Sequence, residues 1–196
     1  PESFVALAQL AIKQIHLLNR PLRLLSAPCA TGEEPYSIAM ALFDAGLQAE
    51  QFKIDAIDIS PPLITRAQLG LYGKNSFRGE QLAYRQRYFQ ETIEGYQLSD
   101  KICQQVQFRS ANLINLNTLT SDDRYDFVFC RNVLIYFDVP TQEAVLNNLL
   151  QVKHKTGFLF VGPAEASLLS RQGLQAIGMP LSFAFQQSRQ LPSQST

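Results

Sequence analysis

The stretch from Leu24 to Phe43, "LLSAPCATGEEPYSIAMALF", decides how the rest of the chain is arranged. An apolar run gives way to a turn of small residues, then to an acidic pair, a proline and a long apolar helical run. This is a strand feeding a helix through a tight loop, the repeating unit of a parallel sheet with covering helices. Gly32 permits the turn, Pro35 suits a first helical turn, and Glu33 and Glu34 lie at the positive end of the helix dipole. A phosphate-binding loop would place lysine and several glycines here. Two carboxylates suit instead a ligand with positive charge, or with hydroxyl and amine donors. The alternative is that the acidic pair only caps the helix.

Working outward, the same alternation repeats. Upstream, Phe4, Leu7, Ala8, Ala11, Ile12 and Ile15 recur at helical spacing and predict an amphipathic leading helix that ends near Asn19 and Pro21. Downstream come a helix from Pro35 to Ala45, a strand in "FKIDAIDIS", a helix from Pro61 to about Tyr72, and strands in "QVQFRSANL" and "YDFVFCRN". A helix from Pro140 to Lys153 and a strand in "GFLFVG" follow. Short apolar strands separated by helices predict an α/β fold with a mostly parallel sheet covered on both faces. Gly73 to Thr92 interrupts the alternation with basic and aromatic residues and reads as an inserted, partly helical excursion near the open edge of the site. A helix around Ser167 to Gly173 and "AIGMPLSFAFQQS", a turn into an antiparallel last strand, close the domain; "QLPSQST" reads as a polar tail.

Composition narrows the function classes. At 196 residues and 46% hydrophobic content the chain can bury one ordinary core. Seventeen basic residues balance seventeen acidic ones, which argues against a nucleic-acid partner or an anionic membrane surface. Cys29, Cys103 and Cys130 are odd in number, lack metal-ligand spacing and sit in or beside apolar segments. They read as buried free thiols of a reducing cytoplasm. No signal peptide is visible, no apolar run reaches the roughly 18 residues of a membrane span, and the first residue, Pro1, reads as a cut within a longer polypeptide. His16 and His154 lie apart from the polar clusters, and no metal-ligating group or Ser-His-Asp grouping is visible.

In an open parallel sheet, ligands bind beyond the carboxyl ends of the strands. Four polar clusters fall there. Besides the acidic turn, "AIDIS" supplies Asp58, suited to ribose hydroxyls or else to capping the next helix. "SANLIN" supplies Asn112, whose amide can pair with an adenine edge or simply make a turn, and Leu113, which can pack on a ring face. "FVFCRNVLIYFD" supplies Arg131, Asn132 and Tyr136; taken alone, these read more readily as a surface arginine and a core tyrosine than as site residues.

Together, "SAPCATGEEPYSIAM", "AIDIS", "FRSANL" and "FVFCRNVLIYFD" resemble the chemotaxis receptor glutamate methyltransferases, the CheR family, in the family's order from about Arg20 to Gly162. The resemblance implies a Rossmann-like fold of the S-adenosylmethionine-dependent methyltransferases, with a seven-stranded, mostly parallel sheet and one antiparallel strand. It implies that Ala27, Glu33, Asp58, Ile59, Asn112, Leu113, Arg131 and Asn132 bind S-adenosylmethionine, and its product S-adenosylhomocysteine. Glu34 carries over less directly. Tyr136 and Arg131 become the catalytic pair, Tyr136 facing the reacting methyl group. The implied partner is the cytoplasmic domain of a chemoreceptor-like protein, methylated on a glutamate side chain. A non-catalytic cofactor-binding module of a larger signalling protein, or a carboxyl methyltransferase with another substrate, is the alternative.

The resemblance also divides the chain. Residues 1–20 match only a linker helix from an amino-terminal helical domain, residues 21–188 the methyltransferase domain, and residues 189–196 a tail. Two departures stand out: Pro28 occupies a position often glycine or alanine in the family, and "GPAEAS" replaces a Gly-His-Ser-Glu segment, keeping Gly162 and Glu165.

Overall fold

In the computed structural model, residues 2–77, 83–116, 119, 124–170 and 172–187 are described. Helix α1 (Glu2–Leu18) leads into strand β1 (Leu22–Ser26), helix α2 (Glu33–Asp44), strand β2 (Phe52–Asp58) and helix α3 (Pro61–Leu69). An excursion follows, made of β3 (Leu71–Tyr72), α4 (Ala83–Tyr88), β4 (Phe89–Glu91) and β5 (Tyr96–Leu98). The alternation resumes with α5 (Asp100–Cys103), β6 (Val106–Ser110), β7 (Tyr125–Cys130), α6 (Val139–Val152) and β8 (Lys153–Val161). Helix α7 (Ala166–Ser170), β9 (Leu174–Ala176) and β10 (Ala184–Gln187) complete it. The tail at 189–196 lies outside the described residues.

The main sheet has seven strands in the order β6-β2-β1-β7-β8-β10-β9. Strands β6, β2, β1, β7 and β8 are parallel, β10 runs antiparallel to β8, and β9 runs antiparallel to β10. Six strands therefore point one way and one the other, as the Rossmann-like expectation requires. The chain steps from β1 outward to β2 and β6, then returns to β7 on the other side, so the direction of winding reverses between β1 and β7. A crevice opens beyond the strand ends at such a reversal.

Both faces of the sheet are covered, which explains why its strands read as unbroken apolar runs. Leu22, Leu24, Phe127 and Phe129 turn to the face covered by α1 and α2, packing with Leu7, Ile38 and Leu42. Leu25, Val128 and Cys130 turn to the other, packing with Val145, Leu146 and Leu149 of α6. Each such buried side chain contributes roughly 1.5–3 kcal/mol of transfer free energy. Phe129 stacks on Phe160 at a centroid distance of 4.3 Å, tying β7 to β8, and Phe4 of α1 stacks on Phe129 at 6.2 Å.

The amino-terminal ends of the strands carry a polar cluster. Asp55 accepts from Tyr125 Oη at 2.7 Å, Arg109 Nη2 at 2.7 Å and Arg23 Nη2 at 3.1 Å, so one carboxylate links β2 to β7, β6 and β1. Arg20 clasps Asp126 with two bonds of 2.7 and 2.8 Å. Lys153, at the start of β8, is 1% exposed, and its Nζ donates to the carbonyls of His154 at 2.8 Å and Gly157 at 3.0 Å. With no carboxylate beside it among the described residues, burial pushes its ammonium down to about 8.

Several boundaries differ from the sequence reading. Helix α2 begins at Glu33, so Pro35 sits at its third position. Helix α3 stops at Leu69 because Gly70 turns left-handed at φ 60°, and Leu71–Tyr72 becomes a strand. Strand β8 begins at Lys153, before Gly157. The inserted excursion is a three-stranded antiparallel sheet, β3-β5-β4, as well as a helix. Its strands are two or three residues long, too short to show alternation, and they are held by packing of Phe77 against Phe89 and Tyr96 at 5.0 and 4.9 Å.

Candidate active site

The loop after β1 is pinned to its neighbours by main-chain bonds. Ala27 N–H donates to Phe129 O at 2.9 Å and Cys29 N–H to Ile57 O at 2.8 Å. Ala30 N–H donates to Asp58 Oδ2 at 2.9 Å, and Tyr72 Oη reaches in from the excursion to donate to Thr31 O at 2.9 Å. The peptide between Ala27 and Pro28 is cis. Gly32 has φ +90°, and a Cβ there would lie 2.9 Å from Tyr72 Oη and 3.0 Å from Ala67 Cβ. Only glycine fits this turn.

The acidic pair divides. Consecutive helical residues point about 100° apart, so one carboxylate turns inward and the other outward. Glu34 is the inward one: it accepts from Ser26 Oγ at 2.9 Å and from Arg131 Nη1 at 3.3 Å, bridging β1 to the segment after β7 across the reversal point. Burial pushes its carboxyl above the usual value, against the opposing pull of Arg131 and Ser26. Glu33 is exposed and accepts from Thr31 Oγ1 at 2.6 Å at the loop surface.

Asp58 ends β2 almost buried. Its Oδ2 takes the Ala30 N–H and its Oδ1 the Ser60 N–H at 2.9 Å, which leaves each oxygen a second acceptor position. Ile59 beside it is 66% exposed. Beyond β6, Asn112 closes a turn on itself, with Oδ1 accepting from Ile114 N–H at 3.0 Å, while Leu113 is buried beneath. The turn role weighed from sequence is thus present.

The segment after β7 is the most constrained. Asn132 sits at φ 61°, a left-handed conformation that asparagine tolerates. Glu165, fully buried, accepts from four main-chain N–H groups: Asn132 at 2.9 Å, Val133 at 2.7 Å, Leu134 at 2.8 Å and Gly162 at 2.7 Å. From the other side, Gln142 Nε2 donates to the carbonyls of Leu134 and Phe137 at 2.9 and 3.0 Å. The turn thereby holds Tyr136 outward, 78% exposed. Arg131, paired with Glu34, is three-quarters buried, and its Nε–H is buried without a partner among the described residues. The bland alternative for this cluster, a surface arginine and a core tyrosine, is the reverse of the arrangement found.

Asp58, Glu34 and Arg131 therefore converge on the reversal point, with no lysine among them, as a ligand lacking phosphate and carrying an ammonium would require. Residues 1–181 match the CheR methyltransferase SAM-binding domain. The chain belongs to the CheR family. It is 53% identical over 194 residues to the "Probable biofilm formation methyltransferase WspC" of Pseudomonas aeruginosa, covering 98% of this chain and 46% of that one. It is 33% identical over 180 residues to "Chemotaxis protein methyltransferase 2" of the same organism, covering 89% and 64%. It is 34% identical over 148 residues to the "Chemotaxis protein methyltransferase" of Salmonella typhimurium, covering 73% and 51%. The chain thus spans about half the length of the curated WspC relatives it matches.

The residues present fit the S-adenosylmethionine of a CheR domain. Carboxylates at Glu34 and Asp58 suit an ammonium and ribose hydroxyls, the orphan Nε–H of Arg131 is a donor awaiting an acceptor, and Ile59 offers exposed apolar surface for a ring, whereas Leu113 is buried. Ala27 is buried with its N–H already used, so any contact it makes comes through the rest of its main chain. All three cysteines are free, Cys103 half-buried and the other two buried. Burial pushes Cys29 up to about 12 and Cys130 well above the usual thiol value, which removes them as nucleophiles. Sequence reasoning carried Glu34 over less directly than Glu33 and did not single out Ser26, Tyr72 or Gln142. Glu165 was visible only as a retained residue, since nothing local signals that its side chain turns inward.

Proposed function

We propose that this domain transfers a methyl group to a glutamate side-chain carboxylate of a chemoreceptor-like signalling protein, in the cytoplasm, giving a methyl ester. The observation that carries the reading is the exposed Tyr136 on a turn whose main chain is bonded from both sides, one segment beyond the Arg131–Glu34 pair. The names of the chemotaxis relatives support the receptor class. Among the described residues no helix is long and apolar enough to cross a membrane.

The bound cofactor supplies an electrophilic methyl on a sulfonium. A glutamate with a reference pKa of about 4.3 is already ionised near neutrality, so the protein needs no general base. What the chain contributes is position. Glu34 takes the cofactor's ammonium, Asp58 its ribose, Asn112 and Leu113 its adenine, and Ala27, Ile59 and Asn132 line the same groove, with Glu33 at its rim. Arg131 is held by Glu34 on the methionine side, and Tyr136 Oη donates to the incoming carboxylate. Alignment of this kind supplies roughly 7–11 kcal/mol in favourable cases.

The test is methyl transfer from radiolabelled cofactor to a receptor cytoplasmic fragment by the full-length protein. The label is expected to be released as methanol by mild base, the behaviour of an ester; base-stable label overturns the substrate assignment. Tyr136→Phe is expected to slow transfer at least tenfold with S-adenosylhomocysteine affinity kept within twofold. Binding without any transfer by the wild type would make the domain a cofactor-sensing module.

A further inference from the structure

We propose that Glu165 is a positioning residue for cofactor binding: its carboxylate is the mould on which the Arg131–Leu134 turn is cast. The inference rests on the assignment of Arg131 and Asn132 to the methionine side of the cofactor. Three successive N–H groups, those of Asn132, Val133 and Leu134, converge on this one side chain, and Gly162 N–H joins them. Successive main-chain N–H groups in such a turn form a concavity that binds anions, and here the chain fills it with its own carboxylate.

The fit is tight from every side. Oε1 takes the N–H groups of Val133 and Leu134, while Oε2 takes those of Asn132 and Gly162, so both oxygens are fully used as acceptors. A Cβ at residue 162 would lie 2.8 Å from Glu165 Oε2, 2.9 Å from Asn132 Oδ1 and 3.3 Å from Asn132 N. Gly162 is therefore required for the approach of β8 to the turn, and this is the part of "GPAEAS" that matters. The left-handed Asn132 is what aims the three N–H groups at one point. Without the carboxylate, those buried donors would have to turn toward water, carrying Arg131 and Asn132 with them. Glu165 touches neither cofactor nor substrate; it acts through the turn.

The experiment compares wild type, Glu165→Gln and a core variant remote from the crevice, Leu7→Ala. S-adenosylhomocysteine affinity is measured by calorimetry well below the melting temperature of each, alongside amide proton shifts of residues 132, 133, 134 and 162. Glutamine keeps the shape but presents an amide NH2 to donors. Glu165→Gln is expected to weaken binding about tenfold or more and to move all four amide resonances together, whereas Leu7→Ala lowers melting temperature and leaves affinity within twofold. Unchanged affinity in Glu165→Gln, or an equal loss in Leu7→Ala, overturns the proposal. If Glu165→Gln does not fold, hydrogen exchange in the wild type decides: the four amides should slow together at least tenfold on adding S-adenosylhomocysteine, and unchanged rates overturn it. Arg131→Ala tests the underlying assignment separately, since unaltered binding there removes the site reading whatever Glu165 does.

Discussion

Lys153→Met isolates the cost of burying an ammonium without a counterion. In the folded chain Lys153 is pushed from an ordinary 10.5 to about 8, its charge satisfied, among the described residues, by the carbonyls of His154 and Gly157. Below pH 8 the folded and unfolded states both hold the proton, and the wild type bears the full penalty. Between about pH 8 and 10.5 the unfolded chain still holds the proton that the folded chain has released, so the lysine's contribution to stability rises with pH. At about 1.36 kcal/mol per pKa unit, the interval corresponds to roughly 3 kcal/mol. The buried cysteines and tyrosines are shifted upward, and their contribution falls with pH, but it is common to both proteins and cancels in the difference. Urea unfolding of wild type and Lys153→Met from pH 7 to 10 should therefore show the wild type gaining on the variant by about 2–3 kcal/mol. A difference that stays flat, or that moves toward the variant, refutes the reasoning.

Asp55→Ala removes the acceptor shared by Tyr125, Arg23 and Arg109 and strands the buried Tyr125 hydroxyl; the expected loss is about 3–5 kcal/mol by urea unfolding, and a loss under about 1 kcal/mol contradicts the linking role. Glu34 gives a binding counterpart. Because burial holds its carboxyl above the ordinary 4.5 and an ammonium favours the ionised form, wild-type affinity for S-adenosylhomocysteine should increase as pH rises from there toward neutrality. Glu34→Gln should bind more weakly and without that slope; a slope that persists in the variant excludes Glu34 as its source.

The parts of the fold written into local pattern were those with buried apolar runs. Strands β1, β2, β7 and β8 carry apolar residues on alternating faces of a doubly covered sheet, so their burial shows directly as hydrophobicity. The excursion's strands did not show, because strands such as Leu71–Tyr72 are fixed by aromatic packing on Phe89 and on Tyr36 of α2 rather than by their own sequence. The site behaved likewise. The clusters at the strand ends were identifiable because topology forces them together, but which of two adjacent glutamates faces inward depends on where helix α2 begins, and the reading placed that start two residues late. Tyr136 looked like a core residue because it stands in an apolar run; the turn that expels it is built by Glu165 and Gln142, 29 and 6 residues further along.

The excursion between α3 and α5 enters and leaves the fold at one place. Leu98 N–H donates to Gly70 O at 2.8 Å, Gln97 Nε2 donates to Leu69 O at 2.9 Å, and Tyr72 pairs with Tyr96, so its two ends are already hydrogen-bonded to each other. Phe77, Phe89 and Tyr96 pack on one another, while Tyr72 and Tyr88 join the main core, and β2 pairs directly with β6. The segment is in that sense a cassette. A chimaera joined at Gly70 and Leu98 that keeps the β2–β6 pairing but unfolds at lower urea would measure what the core contacts of Tyr72 and Tyr88 add. Among the described residues, the threads a replacement would have to reproduce include the Tyr72 hydroxyl on the loop after β1 and the Tyr88 hydroxyl, which donates to Asp44 of α2 at 2.7 Å.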